Sequence, residues 1–508
     1  MGIRTEQQYW KSIRKQKPEV HIMGERVEEI IDHPLIKGSA NGAALTFRYA
    51  NDPQYRDLFT IHSPLVNEPV NRYVSVHNNI QDLMEKVKLI RFVAQKTGEC
   101  AQRCMGWDAL NAVYSTTYET DQKHETPYHS RFKDYLTWVQ KKDIMVHGTM
   151  TDPRGDRSLK PAQQKDPDLY LRIVERRKNG IVVRGAKSHQ GGILNHEEFL
   201  AMPSVSLRPE DKDYAVSFAL PVDTKGMTYV FGRHSMDDRL LEGTEFDMGN
   251  TKFGRYAMWV FFDDVFVPWE RVFLCGENEY ASLIVERFAG LHRQNYGACS
   301  AGGMDVLIGA AALIAEYNGI ASASHVKDKI VEMCALNETM YQGSLACSSQ
   351  GEMTPSGVAV MNKLLAYVTK LNVTRFPYEI ARLAQDICGG IIGTMPSEKD
   401  YRNSKIGPLL EKYLKGVAHI PTEHRMRMIR LIERMTCGRS LLVCMHGAGS
   451  PFANKMMIGR YTDMEEKKTL ARDIAGVPEP KPNPEIPAET KGGRGRKKTL
   501  RARETVSQ

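Results

Sequence analysis

The chain has 508 residues, 42% of them hydrophobic and 26% charged, enough for two or three domains around a large buried core and ordinary for a soluble globular protein. Half of the formal net charge of +8 lies from Glu479 onward, where eight Lys or Arg stand against four Glu; a basic tail on such a chain argues against a nucleic-acid-binding fold and, in a general way, for an anionic substrate. Nine scattered cysteines and no apolar leader argue against a disulfide framework, and no segment approaches the roughly 20 apolar residues of a membrane span, so a cytoplasmic protein is expected.

Residues 1–145 read as mainly helical. Ile80, Leu83, Met84, Val87 and Ile90 recur at the helical period, and the chain then runs through TGECAQRCMGWDALNAVYSTTY. From 146 to 275 the character changes. YLRIVERRKNGIVVRGAKSH places β-branched residues on either side of Asn179-Gly180, a hairpin turn signal, and SFALPV, MTYVFG and AMWVFFDDVFVP continue the strand pattern. From 276 to 476 long helices return, as in MDVLIGAAALIAEYN and SGVAVMNKLLAYVTKLNV. This order predicts an α+β, mostly α chain with a β unit held between two helical layers. Residues 477–508, proline-rich and then charge-dense, are expected to form a disordered basic tail.

Two pairs of residues carry metal-binding chemistry. Cys100 and Cys104 are four apart in a stretch read as helical, which offsets their thiols by about 40° on one face. His292 and Cys299 are seven apart in RFAGLHRQNYGACSAGG, offset by about 20°. Three thiols and an imidazole suit an iron–sulfur cluster or a closed zinc site, while spacing alone fits buried small apolar residues and a core histidine better. Tyr296 shares the face of His292, and a packed aromatic ring is the plain alternative to a proton donor. No G-x-G-x-x-G follows a strand, which excludes a Rossmann dinucleotide site. TDPRGDRS at 151–158 reads either as a surface turn with a local ion pair or as backbone for close approach to a ligand.

Over nearly its whole length, from TEQQYWKSIR to about Val477, the chain resembles the 4-hydroxybutyryl-CoA dehydratase branch of the 4-hydroxyphenylacetate 3-hydroxylase family. The matching stretches are ECAQRC, TDPRGDRS, GAKSHQ, FDDVFVPWERVF, HRQNYGAC, AQDICGG, PSEKDYRNSKIG and HGAGSP. The resemblance implies an acyl-CoA dehydrogenase-like fold: a helical N-terminal domain (1–145), a β-barrel-like middle domain (146–275) and a helical bundle (276–476). It implies a [4Fe-4S] cluster on Cys100, Cys104, His292 and Cys299. It also implies FAD touched by Thr151, Asp152, Gly155, Asp156, Arg157, Lys187, His189, Gln190, Gly447, Ala448, Gly449 and Ser450, with Gln385 reaching the flavin of a neighbouring subunit. His292 and Tyr296 are the implied catalytic groups. The implied enzyme is a radical lyase with isomerase activity on an acyl-CoA thioester, a homotetramer with no nucleic-acid or membrane partner.

The chain departs from that branch at polar positions. Gly191 stands where a threonine follows the GAK-x-HQ motif, Ser300 where a lysine follows the last cysteine, Tyr256-Ala257-Met258 where a glutamate is expected, and Asn454-Lys455 where an acidic residue is expected. These departures support a second expectation, the same scaffold acting on a different acyl-CoA or in flavin redox chemistry, and a third, a non-catalytic cluster-bearing protein.

Overall fold

The helical period around Ile80 becomes helix α1 (Ile80–Thr97), begun by the Asn79 side chain accepting from the Asp82 amide and ended by Gly98 at φ +66°. The computed structural model describes residues 2–250 and 252–478; most of the expected tail lies outside them. Helix α2 (Cys104–His124) follows after a six-residue loop. The C-terminal bundle is built on α3 (Asn278–Tyr317), with α4 (Ser324–Ser349), α5 (Lys363–Val373), α6 (Phe376–Cys388), α7 (Thr422–Cys437), α8 (Arg439–His446) and α9 (Pro451–Tyr461). Residues up to Tyr461 form one compact unit; a second unit from Thr462 holds the helix Met464–Ala475, capped by Asp463.

Two open sheets form the β part. The larger runs Glu25–Arg26, Glu19–Ile22, Met227–Phe231, Ala257–Pro268, Gly180–Gly191, Arg172–Arg177, and the smaller runs Val272–Cys275, Val216–Pro221, Glu198–Ala201, Val146–Thr149. Neither closes into the expected barrel. The outer strands of the larger sheet, ER and RIVERR, carry charged side chains that discourage further pairing. The smaller sheet is buried on both faces. Phe199, Phe218 and Leu220 pack toward the larger sheet, while Leu200, Ala219 and Phe273 pack against α2 and the helix Tyr128–Lys142.

Three details differ from the sequence expectation. Glu19–Ile22, within the stretch read as helical, joins the larger sheet in parallel with Met227–Phe231; four residues are too few to show a period. The hairpin forms, but Arg177 pairs with Gly180, so Lys178 and Asn179 make the turn. Among the described residues, only helix α3 is long and apolar enough, by composition, to cross a membrane, yet most of its apolar window is buried inside the protein. A helix apolar all round is what packing on every side produces.

Candidate active site

Cys100 is not helical. It sits in the loop between α1 and α2, and Cys104 is the first residue of α2. The thiols meet because the loop folds back through Gln102 at φ +56°, whose amide donates to Cys100 Sγ at 3.3 Å. The loop is pinned from outside. Gln102 accepts from Ser39 (2.7 Å) and donates to the Tyr256 carbonyl (3.1 Å), and Arg103 donates to Thr46 and Asp143. With residues 102 and 103 so held, Cys100, Cys104 and Cys299 of α3 line one small cavity.

The three thiols titrate as a set. Hydrogen bonding from Cys104 and Cys299, helped by the nearby Arg255 guanidinium, holds Cys100 well below the ordinary thiol range. The bonds to Cys100, with burial, push Cys104 and Cys299 up. A thiolate at Cys100 is the form that binds metal. Arg255 is itself raised despite burial, by Cys100, Tyr296, Glu99 and Cys299.

His292 comes from one helical turn before Tyr296 on α3. Ligand atoms of Cys104, Asp108 and His292 all lie within 4.8 Å of one another. His292 Nδ1 is 2.9 Å from Asp108 Oδ2, which leaves Nε2 for another partner. Asp108 is fully buried, pairs with the equally buried Lys86, and accepts from Asn295 Nδ2 at 2.7 Å. The four residues expected as ligands are thus brought together, and Asp108, Lys86 and Arg255 are the groups that sequence reasoning missed. Asp108 lies four residues after Cys104, on the same helix face, which is the one signal that points to it. A thiolate-rich donor set with an imidazole and a buried counter-cation fits a cubane cluster in kind.

The Tyr296 ring stands 5.2 Å from that of His292, edge to face, and burial raises its phenol far above the usual range. The HGAGSP segment closes over it: a Cβ at Gly447 would fall 1.7 Å from Tyr296 Oη, so the approach requires glycine. Ala448 (φ +56°) and Gly449 (φ +109°) then turn the loop toward Arg293 before Ser450 leads into α9.

The expected flavin segments meet in part. A bulge opposite Trp259 puts His189 at φ +62° and turns its ring outward. Burial, Arg154 and His446 together lower His189, so residues of the TDPRGDRS, GAKSHQ and HGAGSP segments lie about one point. Lys187 is committed inside the protein: it pairs with Asp152 (2.8 Å) and donates to the carbonyls of Met150 and Met202. Asp152 also accepts from Ser204 and Leu171. Thr151 contributes its carbonyl to Ser188 N, and Gln190 donates to the Ser188 carbonyl at 2.5 Å. Gly155 turns at φ +52°, Asp156 accepts twice from Ser158, and Arg157 is exposed. Gln385, on α6, makes its side-chain contact with Cys437. His147 is buried between Thr149 and the Gly191 carbonyl, and burial pushes it down to about 3; it is a neutral structural histidine.

Gly191 faces the cysteine loop. A Cβ there would meet Gln102 Nε2 at 2.5 Å, and Gln102 is tethered at both ends of its amide. Gly191→Thr is expected to cost about 1–3 kcal/mol through overpacking and to loosen the Cys100 loop. Denaturant unfolding of the variant, with iron retained after gel filtration, checks both parts; unchanged values would show that Gln102 yields freely.

Comparison with known proteins places this geometry. Residues 5–274 match the 4-hydroxyphenylacetate 3-hydroxylase N-terminal family and residues 281–476 its C-terminal family. The chain is 49% identical over 488 residues to the 4-hydroxybutyryl-CoA dehydratase/vinylacetyl-CoA-Δ-isomerase of Clostridium aminobutyricum, covering 94% of this chain and 100% of that one. It is similar to the structure of an oxygen-tolerant archaeal 4-hydroxybutyryl-CoA dehydratase from N. maritimus, at 46% identity and TM-score 0.92, over 96% and 98% of the two chains. A 4-hydroxyphenylacetate 3-monooxygenase oxygenase component complexed with FAD matches at 25% identity and TM-score 0.80, over 93% and 98%. The expected acyl-CoA dehydrogenase-like fold is matched only distantly, by glutaryl-CoA dehydrogenase at TM-score 0.52 and 12% identity.

Proposed function

This chain belongs to the 4-hydroxyphenylacetate 3-hydroxylase family, in its 4-hydroxybutyryl-CoA dehydratase branch, and from that premise we propose that it holds a [4Fe-4S] cluster and FAD and removes water from a hydroxyacyl-CoA thioester. It is a lyase of the dehydratase/isomerase kind. The observation that carries the cofactor proposal is the meeting of Cys100, Cys104 and Cys299 with His292 around one small, partly buried cavity. In this proposal those four residues hold the cluster. His189, Gln190 and the Gly447–Ser450 loop border the flavin, while Lys187 and Asp152 shape the Thr151 turn from behind. Gln385 serves a neighbouring subunit of a tetramer.

When bound, the cluster supplies a Lewis acid for a departing hydroxyl and the flavin an acceptor for one electron. The chain does the rest. Asp108 fixes the His292 tautomer with the proton on Nδ1, so Nε2 is presented to the site. Lys86 pairs with Asp108 away from water, so the carboxylate that orients His292 has a counter-charge beside it. Tyr296 keeps its proton on Oη because burial disfavours the phenolate, which makes it the donor at hand for a leaving oxygen. Gly447 brings backbone against that hydroxyl and excludes solvent from it.

A second reading, the same scaffold with another acyl chain, is favoured by two positions. Gly191 offers no side chain to a substrate, and the Ser300 hydroxyl is turned to Cys444 Sγ at 3.8 Å. One anaerobic experiment tests both. The purified protein is expected to contain four irons, four sulfides and one FAD per chain. It is expected to shift the double bond of vinylacetyl-CoA faster than it dehydrates 4-hydroxybutyryl-CoA, since the shift needs no hydroxyl departure. Stoichiometric zinc without iron would overturn the cofactor proposal, and rapid dehydration would remove the second reading.

A further inference from the structure

Arg293 follows His292 on α3 and is 92% buried, with a relative exposure of 8%. Its Nε and Nη1 have no hydrogen-bond acceptor, and no carboxylate lies within ion-pair distance among the described residues. The guanidinium covers the ring of Tyr367 at 4.2 Å. The nearest acid in its surroundings, Glu286, is already engaged by Lys363 and by Tyr461 Oη. An arginine cannot shed its proton to escape this situation, as its guanidinium stays charged at any working pH. A buried, uncompensated charge costs several kcal/mol and is kept where something compensates it.

Its surroundings state what that partner must look like. Lys370, fully buried, points its ammonium at the same region, donating to the Cys444 carbonyl at 2.6 Å and lying 4.8 Å from the Tyr296 ring centre. Burial lowers Lys370 to about 8, and the charge of Arg293 adds to that effect, so the two cations share one field. On the other side stands Asn454, fully buried. Its Nδ2 is spent on the carbonyls of Gly449 and Ser450 (3.2 and 2.9 Å), which fixes the amide orientation and leaves Oδ1 as an acceptor with no donor. Arg293 and Asn454 flank Gly449: a Cβ at that residue would lie 3.2 Å from Arg293 Nη2 and 3.9 Å from Asn454 Nδ2.

We propose that Arg293 and Asn454, on either side of Gly449, form a subsite for a delocalised carbonyl oxyanion, an oxygen whose charge is shared with an adjacent carbon or nitrogen, with the arginine donating to that oxygen and the asparagine accepting from a neighbouring N–H or O–H. The proposal rests on the hydroxyacyl-CoA and flavin reading above, because two species there carry this group: the enolate of an acyl thioester and the pyrimidine edge of a reduced flavin. A guanidinium supplies two adjacent donors, one for that oxygen and one for a neighbouring acceptor, in a fixed geometry that an ammonium lacks.

Arg293→Met and Arg293→Lys holoenzymes, prepared anaerobically, test the assignment by spectra rather than turnover. The first arm titrates acetoacetyl-CoA, whose enolate absorbs differently from its keto form. The Met variant is expected to bind the enolate roughly tenfold or more weakly than the native protein, and the Lys variant to fall between. The second arm reduces the flavin by one electron and reads the ratio of its anionic and neutral forms; loss of Arg293 is expected to favour the neutral form. A change in the first arm alone assigns the subsite to the thioester, a change in the second alone to the flavin, and a change in both to a shared position. If the Met variant does not load its cofactors, the Lys variant alone decides, since it keeps the charge and loses the paired donors. Native values in both arms overturn the subsite. Absence of iron and flavin from the native protein would instead overturn the proposed function, so the two failures are distinguishable.

Discussion

Cys299→Ala is expected to lose most of its iron, while Cys347→Ala keeps it. Cys299 hydrogen-bonds within the thiol set and its removal takes away a donor, the anchor on α3 and part of what stabilises a thiolate at Cys100. Loss of a direct ligand is expected to exceed the roughly 10–100-fold affinity change typical of outer groups around a metal. Cys347 is fully buried, but its thiol donates to the Ser344 carbonyl and packs with Leu83, Leu291 and Met361, away from the other thiols. Iron and sulfide analysis of both variants after anaerobic gel filtration makes the comparison. Equal loss in the two would mean that iron retention reports general packing and that Cys299 does not hold iron.

The second large effect is on stability. Lys86→Met is expected to destabilise the protein by about 3–5 kcal/mol, the usual consequence of removing one partner from a buried ion pair. Lys86 and Asp108 have no exposed side-chain surface, so water cannot replace the ammonium. What remains for Asp108 is Asn295 and His292. The paired variant Lys86→Met with Asp108→Asn is expected to recover much of the loss, since no charge is then stranded, while still binding iron weakly because His292 Nδ1 has lost its carboxylate. Denaturant unfolding, with iron content measured in parallel, separates the two effects. If the single variant were as stable as the native protein, Asp108 would not be ionised in the fold.

Much of this was legible in the sequence, and the limits follow from how far apart the partners lie. The helical and β segments announced themselves through period and composition, while the cysteines and histidine stood out as a candidate site only through the family resemblance. The contacts that organise them did not. Lys86 sits among apolar positions of α1, where one charged residue reads as a solvated face, and its partner is 22 residues away in another helix. Arg255 lies in an irregular stretch with no pattern. Lys187 looked available to a ligand because its three acceptors, Asp152 and two carbonyls, come from other segments. Cys100 was placed on a helix because loops and helices of this length differ only by backbone turns such as the one at Gln102. The barrel failed for a similar reason, as strand count and length do not say whether the last strand meets the first.

His292, Arg293, Tyr296, Cys299 and Ser300 occupy one uninterrupted helix, and that bears on how such a protein diversifies over generations. Each step along the rod turns by about 100°, so residues one apart address different neighbours while residues three, four or seven apart address the same one. A single codon change at 293 or 300 therefore alters one face of the helix without shifting the groups at 292 and 299. No loop must be rebuilt and no insertion is required. On the proposed function, lineages that carry this helix could exchange one acyl chain for another by point mutation while the residues at 292 and 299 stay in place.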